Sequence, residues 1–156
     1  MQNITTLKFW MVPVAGYDTS QKMGKEIADF ENLHPDIKVE LSLVPWSQAW
    51  KKIMIAAKAK QLPDVFQIGN TWTKTLTAIN AIADVTGKAK DAQLKDKFYP
   101  AAWETCEVKG LSKVYSLPWY ADARLLFYRK DIFKKLGLTP VNLDTWRSFE
   151  EACAAL

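Results

Sequence analysis

The feature that most constrains the fold of this chain is a repeated alternation of strand-like and helix-like segments in its first half. Residues 7–12 form a mostly apolar run, residues 37–43 alternate apolar and polar side chains, and residues 64–68 (DVFQI) form a third strand-like segment. A segment with apolar side chains at helical spacing follows each of these three. Such alternation is the signature of βαβ units, so the sequence predicts an α/β fold around a parallel sheet.

The second half of the chain carries weaker patterns. The elements predicted there are a charged segment with a short helix at 88–97, a helix at 100–107, strands at 113–117 and 125–128, a helix at 131–136, and a last helix that begins at Asp144 or Thr145. Residues that favour capping mark two helix ends, with Asp18, Thr19 or Ser20 before the first helix and Gly137 after the helix at 131–136.

Charge is balanced along the sequence. The 21 lysine and arginine residues are dispersed among 17 acidic residues, and the net charge of +4 is not concentrated in any dense run. This distribution favours a solvated surface of mixed charge over a nucleic-acid interface. The sequence contains no run of about 20 apolar residues, which is the length that a membrane-spanning helix requires.

The N-terminal residues Met1 to Thr6 contain neither a basic segment nor an apolar core, so they predict no signal peptide in this sequence. Two interpretations fit this observation. One is a cytosolic protein, and the other is a mature N-terminus to which Met1 has been added.

Motifs for catalysis and for nucleotide binding are absent from the sequence. The six glycines form neither of the usual phosphate-binding loops, and there is no G-x-S-x-G motif. His34 is the only histidine, which excludes a metal site built on several histidines. Acidic pairs such as Glu26 with Asp29 and Glu104 with Glu107 stand at helical spacing beside lysines, which is typical of solvated helix surface. We therefore predict no catalytic residues, no metal site and no cofactor.

The two cysteines are interpreted as packing residues. Cys106 and Cys153 are 47 positions apart, a spacing typical of neither a metal site nor a disulfide framework. Each lies in a helical pattern, so both are predicted to be small core residues.

Tryptophan is the most distinctive residue type, with seven copies in 156 residues. Those within helical patterns are predicted to be core residues, and they are Trp50, Trp103 and Trp146. Trp46, Trp72 and Trp119 instead stand close to proline or glycine, after the second strand, the third strand and the strand at 113–117. Ligands of open α/β sheets bind where loops leave the carboxyl ends of strands, so we expect these three side chains to meet at one rim.

Polar side chains suited to sugar binding follow Trp119. Flat aromatic faces complement the C–H faces of sugars, and charged side chains hydrogen-bond sugar hydroxyls. Asp122 and Arg124 supply such charged groups. A structural interpretation fits the spacing equally well: the tryptophans would cover the end of the sheet, and Asp122 would pair with Arg124 as a salt bridge.

Five segments carry a resemblance to a known family. They are Val44-Pro45-Trp46, residues 63–72 (PDVFQIGNTW), residues 113–124 (KVYSLPWYADAR), residues 126–133 (LFYRKDIF) and Thr145-Trp146. In this order and at this spacing they resemble the family 1 extracellular solute-binding proteins, the maltose-binding-protein-like receptors of ATP-driven sugar importers. The sequence departs from the family at Arg147-Ser148, where the last helix often carries the acidic residue of a capping box.

The resemblance implies an α/β fold of the periplasmic-binding-protein-like type II, with a first lobe and a partial second lobe. Residues 1–121 would form most of the N-terminal α/β lobe, and residues 122–156 the crossing strand and the start of an incomplete second lobe. The return segments that complete the first lobe would also lie outside this sequence, which would make it a truncated portion. We expect residues 125–156 to fold back onto the first lobe, to pair with another copy, or to be poorly ordered.

The function that the resemblance implies is capture of a sugar or oligosaccharide by the substrate-binding component of an ABC transporter, without catalysis or a cofactor. The full-length protein would be periplasmic, or extracellular and membrane-anchored, and would close by hinge rotation before meeting a membrane permease. The implied ligand-binding residues are Tyr17, Trp46, Asn70, Trp72, Trp119, Tyr120, Asp122 and Arg124. Trp72 would be the stacking platform, while Asp122 and Arg124 would hydrogen-bond sugar hydroxyls.

Two other functions stay open. One is a fragment of a carbohydrate-active enzyme, in which the same aromatic side chains would position a substrate. The other is a fragment that binds no ligand and associates with itself through its exposed surface.

Overall fold

The computed structural model describes residues 4–14, 18–108, 110–120, 122 and 125–156. The chain groups into two compact units, Met1–Ala121 and Asp122–Leu156. The first unit holds a parallel sheet with helices and a small antiparallel ribbon, whereas the regular elements described in the second unit are helical.

The first unit is built on a three-stranded parallel sheet in the order β2-β1-β3. Strand β1 spans Thr5–Met11, β2 spans Ile37–Leu43 and β3 spans Val65–Phe66. All seven residues of β1 pair with β2, whereas only Phe9 and Trp10 pair with β3. The α/β class and the parallel sheet predicted from the alternation are confirmed.

Strand β3 is shorter than predicted because side-chain oxygens take over pairing at both of its ends. The Asp64 carboxylate accepts the backbone N–H of Lys8 at 2.8 Å, and Gln67 Oε1 accepts that of Val12 at 3.1 Å. The backbone N–H of Gln67 also donates to the carbonyl of Trp10 at 2.8 Å. The backbone of β1 therefore stays hydrogen-bonded beyond the regular ladder.

The first connection of the sheet is helix α1, which spans Thr19–Leu33. Asp18 caps it, since its carboxylate accepts the backbone N–H of Gln21 at 3.0 Å. One of the three predicted caps is thus confirmed. After the helix, a short turn at residues 34–36 leads into β2.

The second connection is helix α2, which spans Trp46–Lys58. Its buried residues are Ala49, Ile53 and Ala56, at the i, i+4 and i+7 spacing of one helix face. The prediction that Trp50 is a core residue was wrong, because Trp50 is 37% exposed. The small Ala49, one position earlier, packs against Val12 and Val44 in its place.

The rest of the first unit consists of short elements, some of which contribute residues to a second apolar core. They are α3 (Thr73–Ala78), α4 (Thr86–Asp91), α5 (Pro100–Glu104), β4 (Glu107–Val108) and β5 (Lys113–Val114), with 3₁₀ turns at Asn70–Trp72 and Lys95–Lys97. The buried residues of this core are Ala89, Trp103, Cys106 and Val114. The core positions predicted for Trp103 and Cys106 are therefore confirmed.

The antiparallel ribbon of β4 and β5 corrects two predicted boundaries. The helix predicted at 100–107 ends at Glu104, because the chain turns there into β4, whose Glu107 lies opposite Val114 of β5. The strand predicted at 113–117 is regular only over Lys113–Val114, because the ribbon is two residues long on each side.

Asp84 fixes the start of α4. Its carboxylate accepts the backbone N–H of Thr86 at 2.9 Å and the Thr86 hydroxyl at 2.5 Å, and Lys113 Nζ lies 3.0 Å away. The Thr86 hydroxyl oxygen accepts the backbone N–H of Val114 at 2.9 Å. Hydrogen bonds from Thr86, together with Lys113, lower the pKa of Asp84 to about 2. The link from α4 to β5 therefore weakens only as the pH falls towards that value.

The described part of the second unit contains helix α6 (Lys130–Lys135), a 3₁₀ turn at Pro140–Leu143 and helix α7 (Trp146–Ala155). Gly137 follows α6 with φ of 66°, a left-handed conformation that glycine adopts readily. The predicted role of Gly137 at the end of this helix is confirmed.

The strand predicted at 125–128 is wrong, since residues 125–129 carry no regular secondary structure. A strand is stable only beside a hydrogen-bonded neighbour, and among residues 125–156 none pairs as a strand. Leu125, Leu126 and Phe127 are accordingly exposed.

Helix α7 begins with a capping box that the sequence motif did not predict. Thr145 Oγ1 accepts the backbone N–H of Ser148 at 3.1 Å, and Ser148 Oγ accepts that of Thr145 at 3.3 Å, so serine takes the place of the acidic residue. The core positions predicted for Trp146 and Cys153 were wrong. Trp146 is 82% exposed and Cys153 is also exposed, because α7 buries Ala152 instead.

Candidate ligand-binding site

The carboxyl ends of the three parallel strands lie at one edge of the sheet. Met11 at the end of β1 is opposite Leu43 at the end of β2, and Val44 donates its backbone N–H to the Met11 carbonyl at 2.7 Å. Phe66, which ends β3, lies opposite Trp10 on the other side of β1. Strand order changes direction at β1, and in open sheets ligands bind at such a switch point, outside the carboxyl ends.

Three indole rings, those of Trp46, Trp50 and Trp72, form a tryptophan cluster at this edge. The rings of Trp46 and Trp72 are stacked, with centroids 4.8 Å apart and planes inclined by 13°. The Trp50 ring lies 5.0 Å from the Trp72 ring at an inclination of 55°. The structure thus brings together Trp46 and Trp72, two of the residues expected to meet at this rim, and adds Trp50.

Exposure differs among the three rings of the tryptophan cluster. Trp46 is 54% exposed, whereas Trp72 is half-buried and packs against the core that contains Val12 and Val44. The resemblance assigned the stacking platform to Trp72, yet the more accessible indole belongs to Trp46. Sequence reasoning missed Trp50, although its position four residues after Trp46 places both rings on one side of α2.

Gly69 allows the two stacked rings to approach the backbone. A Cβ atom at this position would lie 3.0 Å from Cη2 of Trp46 and 3.3 Å from Cε2 of Trp72. The φ of −70° and ψ of 137° at Gly69 are open to any residue. Contact with the two rings, rather than backbone conformation, is therefore what favours glycine here.

We expect Gly69→Ala to shift the Trp46 ring relative to Trp72 while leaving the fold intact. The added methyl group forces the ring to retreat by a few tenths of an ångström, and Trp46 has solvent on its other side. The loss of unfolding free energy should stay below about 1 kcal/mol. Near-UV circular dichroism reports the stack and urea unfolding the stability. Gly24→Ala, whose Cβ contacts nothing within 4 Å, is the matched control; an unchanged tryptophan spectrum in Gly69→Ala would contradict the displacement.

The turn that carries Asn70 is linked to the residues before Trp119. The Thr73 hydroxyl donates to the carbonyl of Asn70 at 3.1 Å and lies 3.3 Å from the hydroxyl of Ser116. Trp119 and Tyr120 follow Ser116 closely, and both side chains are more than half exposed. Two of the chain segments expected to contact ligand are therefore joined by side-chain hydroxyls.

The structure gives less information on the other residues expected to contact ligand. Tyr17 and Arg124 lie outside the described residues. Asp122 is described, is exposed and belongs to the second unit. The salt bridge between Asp122 and Arg124 stays a prediction.

The described residues offer aromatic faces and hydrogen-bonding groups rather than a metal centre. Within residues 4–14, 18–108, 110–120, 122 and 125–156, no three His, Cys, Asp or Glu side chains are grouped to hold a metal ion. Both cysteines are free thiols. In this described part of the chain, no helix combines the length and the apolar character needed to cross a bilayer.

Comparison with known proteins decides the family. The sequence profile described as bacterial extracellular solute-binding protein matches residues 15–156. This chain belongs to that family. The resemblance inferred from the five segments is confirmed, and the solute-binding protein fold agrees with the α/β architecture described above.

Relatives of this solute-binding protein chain are similar over most of its length. The mannitol-binding protein of Pseudomonas aeruginosa is 30% identical over 81% of this chain and 29% of that protein. The sugar-binding protein MalE from Xanthomonas citri has a TM-score of 0.72 and 32% identity, over 97% of this chain and 37% of its own. An ABC transporter solute-binding protein from Thermotoga lettingae, bound with α-D-tagatose, has a TM-score of 0.73 and 30% identity, over 97% and 38%. The chain thus spans between 29% and 38% of the length of these relatives.

Proposed function

We propose that this chain supplies one wall of a sugar-binding cleft in the substrate-binding component of an ABC importer. The observation that carries the proposal is the exposed indole of Trp46, stacked on Trp72 at the carboxyl edge of the parallel sheet. An aromatic face at such an edge suits the apolar C–H face of a sugar ring. Because the chain belongs to a family of solute-binding proteins, we interpret the aromatic face as a site that captures a sugar rather than one that reacts with it.

In this proposal Trp46 is the stacking platform and Trp72 is its support. A ring that is stacked on one face and 54% exposed presents its other face to a ligand. Trp72 is half-buried behind it and packs against the core next to β1, so the platform is held in place before a ligand arrives. Such pre-organisation limits the conformational entropy that binding removes.

Hydrogen bonds to sugar hydroxyls are proposed to come from neighbouring segments. The proposed contributors are Tyr17, Asn70, Trp119, Tyr120, Asp122 and Arg124. Asn70 is exposed on the same 3₁₀ turn as Trp72. A carboxylate and a guanidinium form stronger, charge-assisted hydrogen bonds than neutral groups, which suits Asp122 and Arg124 to fixing the orientation of a sugar.

The full-length protein is proposed to act outside the cytoplasm, in the periplasm or anchored to the outer face of the membrane. It would close around the sugar by hinge rotation and present it to a membrane permease, leaving the ligand chemically unchanged and using no cofactor. Support comes from the family and from relatives named for mannitol binding, for sugar binding and for a bound tagatose.

Calorimetry on the full-length protein tests this proposal. We expect at least one of mannitol, D-tagatose and maltotriose to bind with a Kd of about 1 μM or tighter. A flat titration for a broad panel of neutral sugars would count against sugar capture.

A reducing-sugar assay tests the second hypothesis, and turnover abolished by one carboxylate substitution would favour a carbohydrate-active enzyme. Light scattering of the 156-residue chain tests the third hypothesis, self-association through exposed side chains such as Phe127 and Trp146.

A further inference from the structure

A relay of two hydroxyl groups joins the segments that carry the proposed ligand-binding aromatic residues. Thr73 is 1% exposed, and its hydroxyl donates to the carbonyl oxygen of Asn70 at 3.1 Å. The Ser116 hydroxyl lies 3.3 Å from the same Thr73 oxygen. A hydroxyl carries one proton, which Thr73 donates to Asn70, so Ser116 is the donor to Thr73. The relay therefore runs from Ser116 through Thr73 to Asn70.

One end of this relay is Asn70, itself a proposed ligand contact, and the other end lies close to Trp119. Asn70 opens the 3₁₀ turn that ends at Trp72, and the backbone N–H of Trp72 donates to the carbonyl of Gly69 at 2.9 Å. Ser116 stands three residues before Trp119. Because 43 positions separate Thr73 from Ser116, no local regularity of the chain holds these two segments together.

We propose that Thr73 is a positioning residue, which sets the Trp72 turn against the segment leading to Trp119 and so defines the shape of the ligand-binding edge. Its methyl and backbone are packed at the start of α3, one turn before the fully buried Leu76. The contact with the other segment is made by the Thr73 hydroxyl, which lies 3.3 Å from that of Ser116. Valine has nearly the same shape without the hydroxyl, so Thr73→Val removes this contact and leaves the packing in place. The effect on sugar affinity rests on the proposed function, whereas the effect on the Trp72 turn does not.

Amide hydrogen exchange of the ligand-free chain tests the relay directly. In Thr73→Val and in Ser116→Ala we expect the Trp72 amide to exchange about three- to tenfold faster, the effect of one net buried hydrogen bond. Thr73→Ser keeps the hydroxyl and should exchange like the wild type. Thr77→Val is the matched control, because the Thr77 hydroxyl donates to the carbonyl of Thr73 at 2.8 Å within the same helix. Unchanged exchange in Thr73→Val, or equally fast exchange in Thr77→Val, would overturn the positioning role.

Affinity measurements on the full-length protein supply the second arm, with mannitol and D-tagatose as probes. We expect Thr73→Val and Ser116→Ala each to weaken binding about three- to tenfold, and the double variant to weaken it no further, because either change breaks the same relay. Fully additive losses would contradict a shared relay. If the wild type binds neither of these sugars nor maltotriose, the function proposed for this panel fails, and the exchange rates still decide the relay.

Discussion

Trp46→Ala is expected to remove most of the sugar affinity of the full-length protein while leaving its fold nearly unchanged. Trp46 is the most exposed ring of the tryptophan cluster, so its loss removes the platform without opening a cavity in the core. Truncation of an aromatic anchor weakens binding by about 2 kcal/mol or more, which is about 30-fold in Kd. The lost stack on Trp72 should reduce the free energy of unfolding by about 1 kcal/mol. Calorimetry and urea unfolding measure the two effects separately.

Trp72→Ala is the matched comparison, because both rings belong to the same stack. Trp72 is half-buried against the core that contains Val12 and Val44, so its removal should lower the free energy of unfolding by about 2–3 kcal/mol, below the range for a fully buried ring. Trp46→Phe keeps an aromatic face and should retain part of the affinity. If Trp72→Ala lost binding at unchanged stability while Trp46→Ala bound normally, the platform would return to Trp72.

The parallel sheet could be predicted because apolar periodicity marks its first two strands and the helix that follows each of them, and a helix between two strands lets those strands run parallel. Residues 37–43 alternate between two faces, and the period of two specifies a strand without any knowledge of its partners. The length of β3 could not be predicted in the same way. Asp64 and Gln67 end the ladder by hydrogen-bonding β1 through their side chains, and nothing in the spacing of apolar residues records that contact.

The spacing of apolar residues showed that a tryptophan lies in a helix, but it did not show whether that tryptophan lies on the buried or the exposed face. Successive residues of a helix are about 100° apart, so a register error of one position moves a side chain from core to surface. On α2 the buried position is Ala49, and the adjacent Trp50 is exposed. The strand predicted at 113–117 is shorter than expected and the strand predicted at 125–128 is absent for a related reason, because the extent of a strand depends on a hydrogen-bonded partner that its own residues do not specify.

The candidate site was predictable where it depends on topology and not where it depends on side-chain contacts. Trp46 and Trp72 follow the ends of parallel strands, which meet at one edge in any such sheet. The close stacking of the two rings depends on Gly69, because a Cβ atom at this position would press on both of them. The contact of Thr73 with Ser116 spans 43 positions and involves residue types that are common on any surface, so no motif marks it.

Trp103→Ala is expected to lower the free energy of unfolding of the first unit by more than either Trp46→Ala or Trp72→Ala. Trp103 is 4% exposed and packs with Ala89, Cys106 and Val114 in the second apolar core. Its indole N–H donates to Glu107 Oε1 at 2.5 Å, which ties α5 to β4. Deleting a buried tryptophan lowers the free energy of unfolding by about 3–5 kcal/mol, because the surrounding side chains relax only partly into the cavity.

Two further variants separate the causes of that loss. Trp103→Phe keeps a ring against the core but loses the hydrogen bond to Glu107, so we expect a loss of about 1–2 kcal/mol. Trp119→Ala, in the same unit, removes a ring that is 56% exposed and should change stability by less than about 1 kcal/mol. Because a domain is stable by only about 5–15 kcal/mol in total, Trp103→Ala should shift the urea midpoint markedly at an unchanged m-value. A shift in Trp103→Ala no larger than in Trp119→Ala would show that α5, β4 and β5 fold independently of this ring.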